Sequence, residues 1–313
     1  MKSFWLQYLS QICSYIKRPL NLFDNWAFNG RLNWMPDKWY LSLMFRSRIG
    51  YWMDWKHPRN INEKIQWLKF YGDTSQWPRL ADKYAVREYV KEKGWESILI
   101  PLLGKWDKAE DIEWEKLPSQ FAMKSNHGSG DVLICEDKST LDTRYYTQYF
   151  ARILKTKIGY ILGEPHYNKI QPCIVAEELL DARKQDYPSS TPIDYKIWCF
   201  DGVPTYIVTY YNRTKESCNI NIYDTEWNNY PQFVQPNEHY QVGTDVLPRP
   251  RCMEQMLRVA QSLTKGFPCV RLDLYVIDGK VFFGEMTFTP AGGLNYSYTE
   301  DFLNILGDLC KIK

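Results

Sequence analysis

The segment VRLDLYVIDGKVFFGEMTF, residues 270–288, limits the possible folds more than any other part of the chain. Two runs of alternating apolar and polar residues flank Asp278-Gly279, a pair that favours a tight hairpin turn. Side chains alternate across a strand, so Arg271 and Asp273 share one face of the first run, and Glu285 and Thr287 one face of the second. Whether the four meet depends on the loop. A two-residue loop pairs Ile277 with Lys280, sets Asp273 opposite Gly284 and turns Glu285 to the other face. A three-residue loop with a left-handed Gly279 and a bulge pairs Val276 with Lys280, so that Arg271 faces Glu285 and Asp273 faces Phe283. We expect the three-residue loop, because the alternative leaves polar groups on two apolar faces. Two carboxylates and a hydroxyl so gathered are hard oxygen ligands suited to Mg²⁺, which takes few protein ligands and completes its shell with phosphate and water. Arg271 beside them suits phosphate. The plainer reading is a cross-strand ion pair of Arg271 with Glu285, leaving Asp273 solvated.

A second stretch, FAMKSNHGSG at 121–130, ends an apolar run in Lys124 and continues into Gly128, Ser129 and Gly130. The common phosphate loop puts its glycines before the lysine. Here the order is reversed, which reads either as an exposed turn or as a strand lysine reaching phosphate while a loop closes over it. A strand-loop-strand is expected across 121–136. Further elements are a helix over PDKWYLSLMFRSRIGYW, a helix over NINEKIQWLKFYG capped at Asn60 or Asn62, and one helix over RLADKYAVREYVKEKG stopped at Gly94. SILIPLLG reads as a short strand, residues 140–160 as a basic aromatic helix, and CIVAEELL as a buried strand. A second hairpin turns at Asp201-Gly202. Residues 212–250, rich in Asn, Pro and Tyr, read as a long irregular excursion followed by a helix. Helices first and then mostly antiparallel strands make an α+β pattern.

Charge and cysteine content narrow the function classes. The 39 basic and 37 acidic residues, net +2, give no nucleic-acid footprint over the whole surface. Of eight cysteines the closest pair is Cys252 and Cys269, seventeen apart, so no C-x-x-C metal or redox spacing exists. Reduced cytoplasmic thiols fit that usage. The amino terminus is interrupted by Gln7, Ser10, Gln11 and Ser14 and does not read as an export signal. Trp5, Leu9, Ile12 and Ile16 recur at helical spacing among Lys2, Lys17 and Arg18, which suits an amphipathic helix, packed on the protein or resting on the inner face of an anionic membrane.

Lys83 in LADKYAVR, Lys124 in FAMKSNHGSG, the strand and hinge VAEELL, and RLDLY followed by FGEMTFTPAGG occur in an order that resembles the ATP-grasp enzymes. More narrowly they resemble the TupA-like branch, associated with bacterial surface-polysaccharide and teichuronopeptide biosynthesis. The resemblance covers about 60–306. It implies an ATP-grasp fold in which two α+β subdomains, 61–180 and 181–313, grip ATP behind a helical extension over 1–60. Lys83 and Lys124 would hold ATP phosphates under a lid of Ser125, Asn126, His127, Gly128, Ser129 and Gly130. Glu177, Glu178 and Leu179 match the linker whose backbone meets adenine, and Asp194 the ribose contact. Lys196 adds a phosphate contact. Asp273, Glu285 and Thr287 match the metal ligands for Mg²⁺, although most of the superfamily has asparagine where Thr287 stands. Arg271 matches the arginine that neutralises the transferred phosphate. His127 is a candidate for acyl-phosphate contact or proton transfer.

The reaction so implied is ATP-dependent joining of a carboxylate to an amine through an acyl phosphate. Its expected partners are a carboxyl-bearing sugar or polysaccharide precursor and an amino acid or amino sugar. A sugar kinase on the same grip, a glycosyltransferase of the same pathway, and a nucleotide-binding protein without catalysis are the alternatives. The absence of a D-x-D pair counts against glycosyl transfer.

Overall fold

The computed structural model describes residues 32, 34–160 and 163–312. The amphipathic helix expected within residues 1–20 lies outside them. The first described helix, α1 (Asp37–Ile49), ends at a left-handed Gly50 and buries Tyr40, Leu41, Met44 and Phe45 against Leu32, Met53 and Leu294. Helix α2 (Ile61–Tyr71) is capped by Asn60, whose side chain accepts the Glu63 amide at 3.1 Å. Its Ile61, Ile65 and Leu68 enter the main core.

The single helix expected over 79–94 is two helices, α3 (Trp77–Ala81) and α4 (Val86–Glu92). Between them the Asp82 carboxylate accepts the Tyr84 and Ala85 amides, a local bond that competes with helix continuation. The interruption places Lys83 on a turn, half-buried, and its backbone amide donates to the Asn126 carbonyl. Strand β1 (Leu102–Trp106) starts after Pro101, later than expected, with a 3₁₀ turn at Glu96–Ile98 before it.

Strands β2 (Phe121–Ser125), β3 (Val132–Cys135) and β4 (Ile174–Glu177) complete a four-stranded antiparallel sheet ordered β1-β4-β2-β3. Helix α5 (Thr143–Ile153), capped by Asp142, inserts Phe150 into the core beneath it, and burial of such a side chain contributes roughly 2–3 kcal/mol. Phe121 and Met123 point into that core, which leaves Lys124 on the opposite face.

Strands β5 (Asp194–Phe200) and β6 (Val203–Tyr211) form the expected hairpin, with Asp201 and Gly202 both at positive φ. The stretch 212–250 is more ordered than its composition suggests. It supplies β7 (Cys218–Asp224) and β8 (Tyr240–Val242), the latter parallel to β7. Helix α6 (Met253–Thr264) lays Met256, Val259, Ala260 and Leu263 into the core of this second sheet. Strands β9 (Val270–Ile277) and β10 (Lys280–Thr287) close it in the order β10-β9-β5-β6-β7-β8, and α7 (Glu300–Leu309) follows. The architecture is α+β with two sheets.

Candidate active site

The carboxylate hairpin corrects the expected loop. Ile277 pairs with Lys280 across a two-residue turn of Asp278 and Gly279, at φ 52° and 68°, so Val276 does not pair with Lys280. Both central residues are left-handed, as the turn matching the natural strand twist requires. The face is restored further along. Between Phe283 and Glu285 the register shifts, Gly284 is the extra residue, and beyond it Glu285 lies opposite Asp273 and Thr287 opposite Arg271. A Cβ on Gly284 would stand 2.8 Å from the Asp273 carbonyl oxygen, so the bulge demands glycine there. The four polar side chains share one face, by a bulge in the strand rather than by a longer loop.

They are tightly bonded. Arg271 binds Asp273 with two nitrogens, at 2.7 and 2.8 Å, and its Nη2 also donates to Thr287 Oγ1 at 3.3 Å and lies 3.7 Å from Glu285. Thr287 in turn donates to Glu285 at 3.2 Å. From β5, Lys196 bonds Asp273 and lies 3.5 Å from Asp194, which accepts Arg213 at 2.9 Å. Lys83 reaches to 3.7 Å from Glu285 and donates to the Gly128 carbonyl. Lys124 meets Glu177 at 2.7 Å, and Arg87 clamps the other oxygen of that carboxylate at 2.9 Å.

The charges gathered here do not cancel. Lys83, Lys124, Lys196, Arg87, Arg213 and Arg271 face Glu177, Asp194, Asp273 and Glu285, an excess of two positive charges. Such a surplus among partly desolvated side chains attracts an anion. Burial acts to raise the Glu285 carboxyl, but Lys83, Lys196, Arg271 and Lys124 outweigh it and hold it at about 2. The Glu285 side chain keeps 36% of its surface accessible. Water therefore still screens it. Burial likewise raises Asp273, with Arg271 and Lys196 pulling the other way.

The proposed lid divides into a fixed part and an exposed part. Ser125, Asn126 and His127 are buried. The Asn126 side chain is committed to Cys173 N at 2.8 Å and Gln171 O at 3.0 Å, and the Ser125 amide to Asp131 at 3.2 Å. His127 Nε2 lies 3.3 Å from the Thr156 carbonyl, and burial lowers the imidazole pKa, so it stays neutral at pH 7. A Cβ on Gly128 would stand 2.4 Å from the Asp131 carboxylate, whereas Ser129 and the left-handed Gly130 are exposed. Glu178 spends its amide on the Pro101 carbonyl and Leu179 is half-buried beside it.

Several participants escaped the sequence reading. Arg87 and Arg213 carry no local signature, although Arg87 lies on the outward side of α4 one turn beyond Lys83. The loop after β10, the end of the FGEMTFTPAGG stretch, holds a further buried group. There Ala291, Gly292 and Gly293 are all left-handed, Lys69 and Gln66 of α2 donate to the Gly292 carbonyl at 2.7 and 2.9 Å, and Glu164 accepts the Thr289 hydroxyl. Burial raises the Glu164 carboxyl and lowers Lys69 to about 8.

A sequence model of the family described as TupA-like ATPgrasp matches residues 63–311. The chain belongs to the TupA-like ATP-grasp family. Among curated proteins none matches the sequence. Solved structures that resemble this ATP-grasp chain include a D-alanine–D-alanine ligase from Bacillus anthracis complexed with ATP, 15% identical, covering 74% of this chain and 65% of that one at a TM-score of 0.42. An L-amino acid ligase from Bacillus licheniformis is 11% identical, covering 83% and 57% at 0.44. The ATP-grasp ligase PsnB complexed with a minimal precursor is 11% identical, covering 90% and 74% at 0.40. The chain therefore spans about two thirds or less of the length of the first two ligases.

Two facing carboxylates and a hydroxyl are a donor set that fits Mg²⁺ as a partial shell. No group of three or more His, Cys, Asp or Glu able to hold a metal occurs among the described residues, so phosphate oxygens and water would have to complete the coordination.

Proposed function

We propose that this ATP-grasp protein is an ATP-dependent ligase that joins a carboxylate to an amine through an acyl phosphate, with a carboxyl-bearing sugar of surface-polysaccharide biosynthesis as the acceptor. The observation that carries the reading is the convergence of Lys83, Lys124, Lys196 and Arg271 on Glu285 and Asp273, drawn from a helix break and two sheets.

In this reading Lys83 and Lys124 hold the ATP phosphates, and Arg271, already bonded to Asp273, steadies the charge of the phosphoryl group in flight. A carboxylate oxygen attacks the terminal phosphorus and ADP leaves. The amine then attacks the acyl carbon, phosphate leaves with its electron pair, and the nitrogen loses a proton. Mg²⁺, held by Asp273 and Glu285 with Thr287 beside them, would neutralise phosphate charge. Positioning and charge do this work; no serine or cysteine nucleophile is needed. Lys124 starts bonded to Glu177, and Arg87 keeps that carboxylate paired when the lysine turns to phosphate. Asp194 suits a ribose hydroxyl, with Arg213 orienting it. The fixed, neutral His127 suits shaping the lid better than proton transfer. We place the enzyme in the cytoplasm, where ATP is available.

The test is incubation with ATP, Mg²⁺ and pooled uronic acids and amines, followed by mass analysis. ADP together with an amide supports the ligase; ADP with a phosphorylated sugar replaces it by a kinase.

A further inference from the structure

Helix α2 commits three buried polar side chains to the loop that follows β10. Asn62, Gln66 and Lys69, at i, i+4 and i+7, share one face and are all buried. Asn62 exchanges two hydrogen bonds with the backbone of Asn295, at 2.8 and 3.0 Å. Gln66 and Lys69 both donate to the Gly292 carbonyl, and Gln66 also donates to that of Gly293 at 3.0 Å. A Cβ on Gly293 would lie 2.8 Å from Ile65 Cγ2, so glycine is what lets the loop approach the helix this closely. Ala291 in the same loop is held at φ 52°, uncommon for a residue with a side chain. Buried polar and charged groups are poor sources of stability, so a cluster of them beside the phosphate-binding residues points to a task in the reaction.

Glu164 is the group this frame positions. It is 6% exposed. Its Oε1 accepts the Thr289 hydroxyl, while its Oε2 accepts no hydrogen bond among the described residues. Thr289 lies two residues beyond Thr287, which bonds Glu285. Lys69 faces Glu164 with a positive charge and Glu285 with a negative one, and the Tyr167 hydroxyl feels Glu164 together with Glu285, Arg271 and Asp273. Burial raises the Glu164 carboxyl, Lys69 and the Thr289 bond act to lower it, and Glu285 raises it further. A carboxylate raised toward the working pH is suited to accepting a proton. The neighbouring groups are committed elsewhere: Asp273 to Arg271 and Lys196, Asp194 to Arg213, and Glu177 to Lys124 and Arg87. His166 is buried with neither ring nitrogen bonded, but burial lowers its pKa to about 3, too low to keep a proton at pH 7.

We propose that Glu164 is the proton acceptor of the amide-forming step, an assignment that rests on the ligase proposed for this site. As the amine nitrogen bonds to the acyl carbon, the carbon–oxygen bond to phosphate breaks and its electron pair leaves with phosphate. The N–H bond breaks, its pair stays on nitrogen, and the proton passes to Glu164 Oε2 and from there to water. Thr289 fixes the carboxylate through Oε1. Lys69 favours its charged form and is a positioning residue. The amine is thereby placed on the side of the site bounded by α2 and Thr289.

The experiment gives the full chain ATP, Mg²⁺ and pooled uronic acids with either pooled amines or hydroxylamine, a nucleophile that traps an acyl phosphate as a hydroxamate without help from a base. Glu164→Gln should lower amide formation by about 10²-fold or more and leave hydroxamate formation within about twofold of wild type. In wild type at saturating free nucleophile, the amide rate should fall as pH drops through the Glu164 pKa, because only the carboxylate accepts a proton, while the hydroxamate rate stays level. Lys69→Met should move that fall to higher pH, because the charge favouring the carboxylate is gone. The wild-type profiles carry the test if Glu164→Gln fails to fold. Equal loss of both products in Glu164→Gln overturns the assignment and leaves Glu164 a structural role; full amide formation by that variant overturns it as well, as do coincident wild-type pH profiles. Wild type that forms neither product removes the ligase reading itself, and the base with it.

Discussion

Gly284→Ala tests the bulge that assembles the candidate site. The added Cβ would lie 2.8 Å from the Asp273 carbonyl oxygen and 3.2 Å from Tyr275 Cε2, and ordinary contact begins at 3.4 Å, so the strands must part by 0.6 Å at the first of these. The obstructing atom is backbone and cannot rotate away. Overpacking of this kind costs about 2 kcal/mol, which lowers Tm by roughly 4–8 °C in a domain of 150–250 residues. Glu285 is the next residue and moves with it. Its contacts with Lys83 and Arg271 stand at 3.7 Å, and a 0.6 Å displacement takes them to about 4.3 Å, past the roughly 4 Å reach of an ion pair. Loss of one charge-assisted contact of about 1.4 kcal/mol predicts a tenfold loss of MgATP affinity by titration calorimetry. Gly279→Ala is the control: it has nothing within 4 Å but sits at φ +68°, so it should cost roughly 1 kcal/mol of backbone strain and leave MgATP affinity unchanged. Wild-type MgATP affinity in Gly284→Ala, or an equal loss in Gly279→Ala, would show that the bulge does not set the position of Glu285.

Other expectations follow from the same contacts. Lys124→Ala should reduce ADP release by about 10²–10³-fold, and because Arg87 still holds Glu177 its far-ultraviolet circular dichroism should match wild type; full activity would mean that phosphate binds elsewhere. Glu285 is held at about 2, against 4.5 ordinarily, so its contribution is complete above its unfolded pKa and is lost as pH falls through the folded one. Wild type should therefore lose Tm more steeply than Glu285→Gln between pH 4.5 and about 2, and parallel curves would remove the charge assignment. Asn60→Ala removes a helix cap and should cost about 1 kcal/mol in denaturant unfolding; a change too small to detect would show that the Glu63 amide finds water instead.

What the sequence made legible was local chemistry with a strong signature. Asp201-Gly202 and Asp278-Gly279 both form two-residue turns because few pairs tolerate two successive positive φ angles. The polar face of Arg271, Asp273, Glu285 and Thr287 was also visible in alternation, yet the means of forming it was not. A strand glycine marks a bulge only once the partner strand is known, so alternation alone fits a longer loop as well as a bulge at Gly284. The break at Asp82 was hidden because Ala81, Tyr84, Ala85, Tyr89 and Val90 keep helical spacing across it, while the competing bond is between side chain and backbone. In 212–250 the abundance of Asn and Pro obscured Cys218, Ile220 and Ile222, whose period of two is strand β7. Arg87 and Arg213 became visible only when tertiary contacts brought them to Glu177 and Asp194, a pairing that no spacing along the chain encodes.

In the proposed reaction the terminal phosphoryl group leaves ADP for a carboxylate oxygen. Uronic acids carrying heavy oxygen in the carboxyl group, supplied with ATP, Mg²⁺ and an amine, trace that step directly. One heavy oxygen is expected in each released phosphate, in step with ADP and amide. Unlabelled phosphate, or label retained entirely in the sugar, would contradict it.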